Sequence, residues 1–394
     1  MHHNQSLRVL ILSPQPFYET RGTPIALAYV AQALTELGYQ VDFLAYPIGK
    51  DKTVPGMRLL RSGNPFGYTS VPIGFSLRKL VLDGPFAAAA SRLIRKNDYA
   101  YIHAVEEAVF VAIGIDRKRR SHIIYDMASS LPEQMKNSFG FRNALSQAFL
   151  KRVETGALQR VSQVICSAGL GKQVKAIAPG TPCREWCFPV PERPDTPSSG
   201  VGVRKQLKLA ENLTLITYTG SFAAYQGMDT VARAIPRALE RDKTVAFLLV
   251  GGTPAEVEKL QKMMPGHVMD RVRILPRQTR EEIPSYIAAA DILLSTREDG
   301  GNVPLKVFEY LAAGKPVIAS DIPAHRSVLT DELALLYRPG PEGLCEAIAA
   351  LTENPERAQR LAANAAEFSR THLSWETFRD NLGAIYKEVG SREN

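Results

Sequence analysis

Lys306 and Glu309 stand three residues apart in the run Asn302-Val-Pro-Leu-Lys-Val-Phe-Glu-Tyr-Leu-Ala-Ala-Gly314. Helical spacing puts this cation and this carboxylate on one face, together with Asn302 and Ala313. A Lys–Glu pair of this kind is usually no more than a solvated surface pair. Here it follows the loop Thr296-Arg-Glu-Asp-Gly-Gly-Asn302, in which Gly300 and Gly301 allow backbone to come close to a ligand. The loop runs into a helix N-terminus, where free N–H groups attract anions. Loop, helix and charges together suit a phosphate ester whose sugar hydroxyls need a carboxylate.

The element that must carry these residues has defined ends. Asn302 is a good N-cap, Pro304 is tolerated in the first turn, and Gly314 with Pro316 beyond it stops the helix. Leu305, Phe308, Leu311 and Ala312 make its core stripe, and Val317-Ile-Ala319 reads as a buried parallel strand.

The chain has 394 residues, enough for two domains. Hydrophobic residues make up 45% and charged residues 22%, as in soluble globular proteins. No apolar run is long enough to span a bilayer, and the N-terminus lacks a secretory pattern, so a cytoplasmic protein is expected. The four cysteines, Cys166, Cys183, Cys187 and Cys345, show no metal-site spacing and read as reduced structural thiols. The net charge of +8 is uneven: residues 1–190 hold 23 basic against 13 acidic side chains, and residues 191–394 hold 25 against 27. That asymmetry favours an anionic partner for the first half, with an anionic membrane surface as one candidate and no sign of nucleic acid.

Along the chain, Leu7–Ser13 is a strand, Pro14–Pro24 a loop containing Gly22 and Thr23, Ile25–Gly38 a helix and Tyr39–Ala45 a second strand, which makes a βαβ unit. Residues 55–75 read as loop. Ser76–Lys96 is basic and helical, with Asp83-Gly-Pro85 expected to divide it into two helices. Tyr99–His103 is a strand, and Ala104-Val-Glu-Glu-Ala108, which includes Glu106, begins the next helix. His103 lies at the carboxyl end of a strand, where α/β folds place ligands. His122–Asp126 leads to Met127-Ala-Ser-Ser-Leu-Pro-Glu-Gln134, and Lys136–Arg160 is a long basic helical region. Prolines 189, 191, 194 and 197 with Ser198-Ser-Gly200 mark a linker, giving domains 1–188 and 189–373, with the closing helix 374–394 packing back on the first. In the second half, Leu213–Tyr218 is a strand and Thr219-Gly-Ser-Phe-Ala-Ala-Tyr-Gln-Gly227 a phosphate-type turn containing Gly220, Ser221 and Gln226. Val245–Val250 with Gly251 and Val272–Leu275 with Pro276-Arg-Gln-Thr279 are further strands with their loops. Strands and helices alternate throughout, as in doubly wound α/β sheets.

The run from Asn302 to His325 resembles the nucleotide-sugar motif of retaining glycosyltransferases of family four, and weaker likeness extends to 218–227 and 123–134. The resemblance implies the GT-B architecture: two doubly wound Rossmann-like domains facing a cleft. It implies that Glu309 binds the nucleotide ribose, that the helix start from Val303 through Pro304 to Leu305 (with N–H donors at Val303 and Leu305, Pro304 having none) holds the diphosphate together with Lys306, and that Gly22 and Thr23 close over it. Gly220, Ser221 and Gln226 would flank the diphosphate, and Arg277 and Gln278 would receive the base beside Gly251. Four positions depart from the family: Ser221 and Gln226 stand where it often carries an Arg and a Lys for the diphosphate, which leaves Lys306 as the cation best placed to compensate, and two more lie at the sugar end. Gly301 replaces a Glu at the sugar end, leaving Glu298 and Asp299 beside it with Gly300 and Asn302. Ala128 replaces a His. The catalytic candidates are Asp126, the position of Ala128, Lys306, Glu298 and Asp299; the acceptor-side candidates are His103, Glu106, Ser129 and Glu133.

The function implied is transfer of a hexose from a nucleoside diphosphate sugar (UDP or GDP) to an alcohol acceptor, be it glycan, lipid or small molecule. No Asp-x-Asp pair occurs, so neither an obligatory metal nor another cofactor is expected. Peripheral attachment at the inner membrane face would suit the basic first domain. A nucleotide-sugar-binding protein with little turnover is the alternative, motivated by Gly301 and Ala128. A dehydrogenase is disfavoured, since neither half has a full G-x-G-x-x-G after its first strand.

Overall fold

The computed structural model describes residues 7–19, 22–72, 76–116, 121–135, 143–186, 200–210, 212–298 and 303–392. The chain forms two compact units, Met1–Cys187 with Glu376–Asn394, and Phe188–Trp375.

Among the described residues, the first unit is built on seven parallel strands: β1 (Arg8–Leu12), β2 (Gln40–Ala45), β3 (Met57–Arg61), β4 (Tyr101–Val105), β5 (His122–Met127), β6 (Gln163–Cys166) and β7 (Cys183–Glu185). They lie in the order β3-β2-β1-β4-β5-β6-β7. Their apolar runs are continuous because helices cover both faces: Val9, Leu10, Ile11 and Leu12 of β1 are all fully buried. Strand order reverses between β1 and β4, where the two strands run in register from Val9↔Tyr101 to Leu12↔Ala104. That crevice, at the carboxyl ends, is where open α/β sheets place ligands. The closing helix, Trp375–Gly390, belongs to this unit. It docks through Tyr386, whose carbonyl accepts from the Tyr101 hydroxyl at 3.0 Å.

The second unit has six described parallel strands: β8 (Thr214–Thr219), β9 (Val245–Gly252), β10 (Val272–Pro276), β11 (Ile292–Ser295), β12 (Val317–Ser320) and β13 (Leu335–Tyr337). Their order is β10-β9-β8-β11-β12-β13, so this sheet reverses between β8 and β11. A core of Ile216, Tyr218, Ile235, Phe247, Leu249 and Ile318 fills one face.

Four local expectations give way. Leu77–Lys96 is one helix with Pro85 inside it, not two. Pro85 forfeits one backbone bond, but Leu82 and Phe86 are fully buried and Asp83 accepts a hydrogen bond from Tyr46, so both halves are held to the same core. Residues 57–61 form β3, a half-buried edge strand, within what reads as loop. β4 continues to Val105 and the following helix starts only at Ala108. The helix carrying Lys306 spans Leu305–Ala312 with Pro304 at its N-cap position, two residues later than expected; Asn302, the expected cap, lies outside the described residues.

Candidate functional site

In the second unit the loop after β8 and the loop after β11 come together at the strand-order reversal. Gly227 is in the left-handed region (φ 72°), and a Cβ there would stand 2.2 Å from the Thr296 carbonyl oxygen. Only glycine lets these two loops meet. Thr296 donates to the Gln226 carbonyl at 2.8 Å, and the Glu298 N–H to the Tyr225 carbonyl at 2.9 Å. The carboxyl end of β9, which runs on through Gly251 and Gly252, closes from the other side: a Cβ on Gly251 (φ 130°) would stand 2.1 Å from the Gly220 carbonyl oxygen.

Into this frame the helix Leu305–Ala312 brings Lys306. Its ammonium donates to Gln226 Oε1 at 3.1 Å and lies 3.8 Å from the centre of the Tyr218 ring. Tyr218, fully buried, donates to the Ser221 carbonyl at 2.8 Å, and its hydroxyl also meets Gln226 Oε1 at 3.2 Å. Gly220 is close enough that a Cβ there would reach 3.2 Å from the ammonium. Burial pushes the Lys306 pKa well down, and Arg297 pushes it further, with Glu309 pulling against them. Two cations, Lys306 and Arg297, thus share a site at the carboxyl end of the sheet. Such a site gains from an anion.

Glu309 does not pair with Lys306. Its carboxylate forms an ion pair with Arg280, just beyond the loop after β10. In that loop the Arg277 N–H donates to the Gly252 carbonyl at 2.8 Å while its side chain is exposed, and Gln278 donates to the Pro276 carbonyl at 2.9 Å. Val303, Pro304 and Leu305 are half-buried at the start of the helix. Glu298 is exposed and accepts from Thr230. Asp299, Gly300 and Gly301 lie outside the described residues. Tyr218, Arg280 and Arg297 carry no motif of their own; their nearness in sequence to Gly220, Arg277 and Glu298 is the signal that could have found them.

In the first unit, Gly22 and Thr23 open the helix Gly22–Glu36 rather than sitting in a loop before it. His103 is fully buried in the middle of β4 and not at its carboxyl end, because the strand runs on to Val105. Its Nδ1 meets the Tyr386 hydroxyl at 2.9 Å and its Nε2 meets Asp126 Oδ2 at 3.3 Å, so both ring nitrogens are engaged. His103 and Asp126, both interior, therefore help fasten the closing helix to the sheet. Ala128 and Ser129 follow β5, half-buried, and Glu133 falls in the short helix Leu131–Met135.

Glu106 is different. It sits at the β1/β4 reversal with φ 48°, a left-handed conformation that costs a side-chain-bearing residue about 1–2 kcal/mol. Its N–H donates to the Asp126 carbonyl at 3.0 Å. One carboxylate oxygen accepts from Gln15 at 3.0 Å and the other from Ser129 at 3.3 Å. Burial, with repulsion from Glu107, raises its pKa to about 7 against the pull of Lys79 and its hydrogen bonds. Burial also works against the charge of Lys79, but Glu107, its ion-pair partner, and Glu106 outweigh it and raise the lysine's pKa. The strained carboxyl group, with a hydroxyl and an amide on it, can exchange hydrogen bonds with a hydroxylic ligand.

Residues 203–368 match the family model described as glycosyl transferases group 1. The match supports a group 1 glycosyltransferase. The alpha-D-kanosaminyltransferase of Streptomyces kanamyceticus is 27% identical over 202 residues, covering 50% of this chain and 51% of that protein. The chain spans about half the length of the curated relatives it matches. Two solved structures share the fold over nearly the whole chain. Sucrose-phosphate synthase from Thermosynechococcus elongatus has a TM-score of 0.78 at 20% identity, covering 98% of this chain and 99% of its own. Anabaena HepE in complex with UDP-glucose has a TM-score of 0.71 at 17% identity, covering 97% and 100%. The two parallel-sheet units have the GT-B fold of these neighbours.

Proposed function

We propose that this chain is a retaining glycosyltransferase that moves a hexose from a nucleoside diphosphate sugar to an alcohol acceptor without an obligatory metal. The carrying observation is Lys306, set against Gln226 and Tyr218 at the β8/β11 reversal, within the field of Arg297, which lies over the Tyr225 ring. A leaving diphosphate gathers negative charge as the glycosidic bond breaks, and preorganised cations in a desolvated site stabilise that charge strongly. Amides at the start of the helix Leu305–Ala312 would add to them. Glu309 would hold the ribose once a nucleotide competes with Arg280, and Arg277 and Gln278 would border the base. The group 1 match over this unit and the UDP-glucose complex of HepE support a nucleotide sugar as donor. Glu106 and Ser129 are the acceptor-side groups whose geometry suits a hydroxyl.

Donor hydrolysis and transfer should be assayed with UDP-, GDP- and ADP-hexoses, with and without EDTA, and the anomer of the product read by NMR. Release of a nucleoside diphosphate unaffected by EDTA, with retained configuration, is expected. Nucleotide binding without release from any donor would instead favour a nucleotide-sugar-binding protein, the reading to which Ala128, unable to donate a hydrogen bond, lends weight.

The acceptor side also suits an anionic membrane surface. On the helix Ala144–Leu158, Leu145 is 85% and Phe149 63% exposed, beside exposed Lys151 and Arg152. Apolar side chains flanked by cations partition into the interface of anionic bilayers. Among the described residues no helix is long and apolar enough to cross a membrane, so attachment would be peripheral. Flotation with anionic vesicles, and its absence with neutral ones, is the expected result; equal binding to both would overturn it.

A further inference from the structure

We propose that Cys166 and Cys183 form a reversible, peroxide-sensitive dithiol that closes to a disulfide at the edge of the first sheet. This is independent of the reaction proposed above. β6 and β7 are parallel, with Val164 opposite Cys183 and Cys166 opposite Glu185. Cys166 therefore lies two positions further along than the partner of Cys183, on the same face of the sheet. The two sulfur atoms are 3.5 Å apart. Bond formation needs them to close by about 1.5 Å, to the S–S distance of ~2.05 Å. β7 can supply that movement, since it is three residues long and terminates the sheet.

The two thiols are chemically unequal. Cys166 is buried, whereas Cys183 is half-buried and reachable from solvent. A hydrogen bond from Cys166 stabilises the Cys183 thiolate and lowers its pKa, with help from Lys175, against burial and Glu185. Lys175 reaches Glu185 at 3.5 Å, so the cation is held beside β7. Thiolate character together with access selects the sulfur that oxidants attack.

The oxidant is a hydroperoxide. The Cys183 thiolate attacks the terminal oxygen; an S–O bond forms, the O–O bond breaks, and alkoxide or hydroxide leaves and takes up a proton. Cys183 becomes a sulfenic acid. The Cys166 thiol then attacks that sulfur, forming S–S and expelling water, which carries away the Cys166 proton. Two electrons pass from the dithiol to one peroxide.

The bridge would fix an edge that other contacts already use. Arg184 of β7 pairs with Glu388 of the closing helix at 2.7 Å, and Trp186 stacks on Phe378 at 5.4 Å between ring centres. The Trp186 N–H continues the ladder to the Cys166 carbonyl at 3.1 Å. Cross-linking β7 to β6 would pin the strand from which these contacts reach the helix.

The test uses the full chain with a few equivalents of hydrogen peroxide, glutathione as an internal standard for reactivity, alkylation of remaining thiols, and tryptic mapping. Cys166 and Cys183 fall in separate tryptic peptides, so a peptide pair lighter by two hydrogens is expected, lost on dithiothreitol treatment. The oxidised chain should melt a few degrees higher. In Cys166→Ser the sulfenic acid should be trapped by dimedone on Cys183. Cys345→Ser should leave the bridge intact. Oxidation no faster than that of glutathione, a bridge from Cys183 to Cys187 or to a second chain, or trapping confined to Cys166 would each overturn the proposal.

Discussion

Glu309 is held by Arg280, from a different element, and not by Lys306 one turn earlier on its own helix. The two charges that look like a pair in the sequence have separate partners, and each is left facing a ligand in its own way. If Glu309 holds a ribose, nucleotide must compete with Arg280 for the carboxylate. Thermal shift across UDP, GDP and ADP should show one nucleotide raising the midpoint by several degrees, since a ligand at 100 times its Kd stabilises by about 2.7 kcal/mol. Glu309→Ala should abolish the rise. Arg280→Ala should keep it or enlarge it, because the competitor is gone. Loss of the rise in Arg280→Ala would make Arg280 itself a ligand group.

Lys306 yields a second prediction. A phosphate beside the ammonium favours its charged form, so nucleotide binding should take up a proton wherever the free site is partly neutral. Affinity should fall as pH rises through the depressed pKa of the free lysine. Calorimetry in buffers of different ionisation enthalpy reads this directly. Lys306→Gln should remove the proton linkage and slow donor cleavage by about 100-fold or more, by analogy with loss of one charge-stabilising donor. The substitution should leave the midpoint of the free protein level or higher, because it removes a desolvated cation.

The alternation of strand and helix was legible because parallel strands buried on both faces are short continuous apolar runs: β1, β5, β9 and β12 stand within a residue or two of where their runs place them. β3 was not, since Met-Arg-Leu-Leu-Arg is a half-buried edge strand without a continuous apolar run, set among glycines and prolines that make the stretch read as loop. Nor was β7, three residues set by pairing alone. The unbroken helix Leu77–Lys96 defeats local reading for another reason: burial of Leu82 and Phe86 on either side of Gly84-Pro85 outweighs the breaker signal. In the site, Lys306, Gln226 and Gly220 could each be picked out singly. That Tyr218 would lie under the ammonium, and that Arg280 would take Glu309, depends on β8 and β10 coming beside the helix, which no local pattern encodes.

Glu106 should show in the pH dependence of stability. Its pKa in the folded chain, about 7, is above the ordinary carboxyl value of 4.5. Between those pH values the folded state keeps a proton that the unfolded state has released, so this group makes stability fall as pH rises from 4.5 to 7 and level off above. Glu106→Gln should flatten that slope. Glu106→Gly should relieve the left-handed backbone and gain up to about 1 kcal/mol at pH 8. Urea midpoints for the three proteins between pH 4.5 and 8 check both effects; a Glu106→Gly protein less stable than wild type at pH 8 would mean the carboxyl group is a structural anchor and not a strained one.

His325 should act with the opposite sign in the second unit. It is fully buried, its Nδ1 donating to the Ser320 carbonyl at 2.8 Å and its Nε2 accepting from the Ser295 hydroxyl at 2.8 Å. That arrangement fits the neutral ring, and burial brings its pKa down to about 4, with repulsion from Lys306 and Arg297 and against the Ser320 bond. Above pH 6.5 both folded and unfolded states are neutral and the stability is fully present. As pH falls from 6.5 to 4 only the unfolded state gains the proton, and about 3 kcal/mol is lost. His325→Gln should lower stability at pH 7 by about 1–3 kcal/mol through the broken bonds, and should be less sensitive to acid across that window. Because His325 joins the ends of β11 and β12 beneath the Thr296–Glu298 loop, the same variant should weaken nucleotide binding at neutral pH. Parallel stability curves for the two proteins between pH 4 and 6.5 would mean that the ring already carries its proton in the fold.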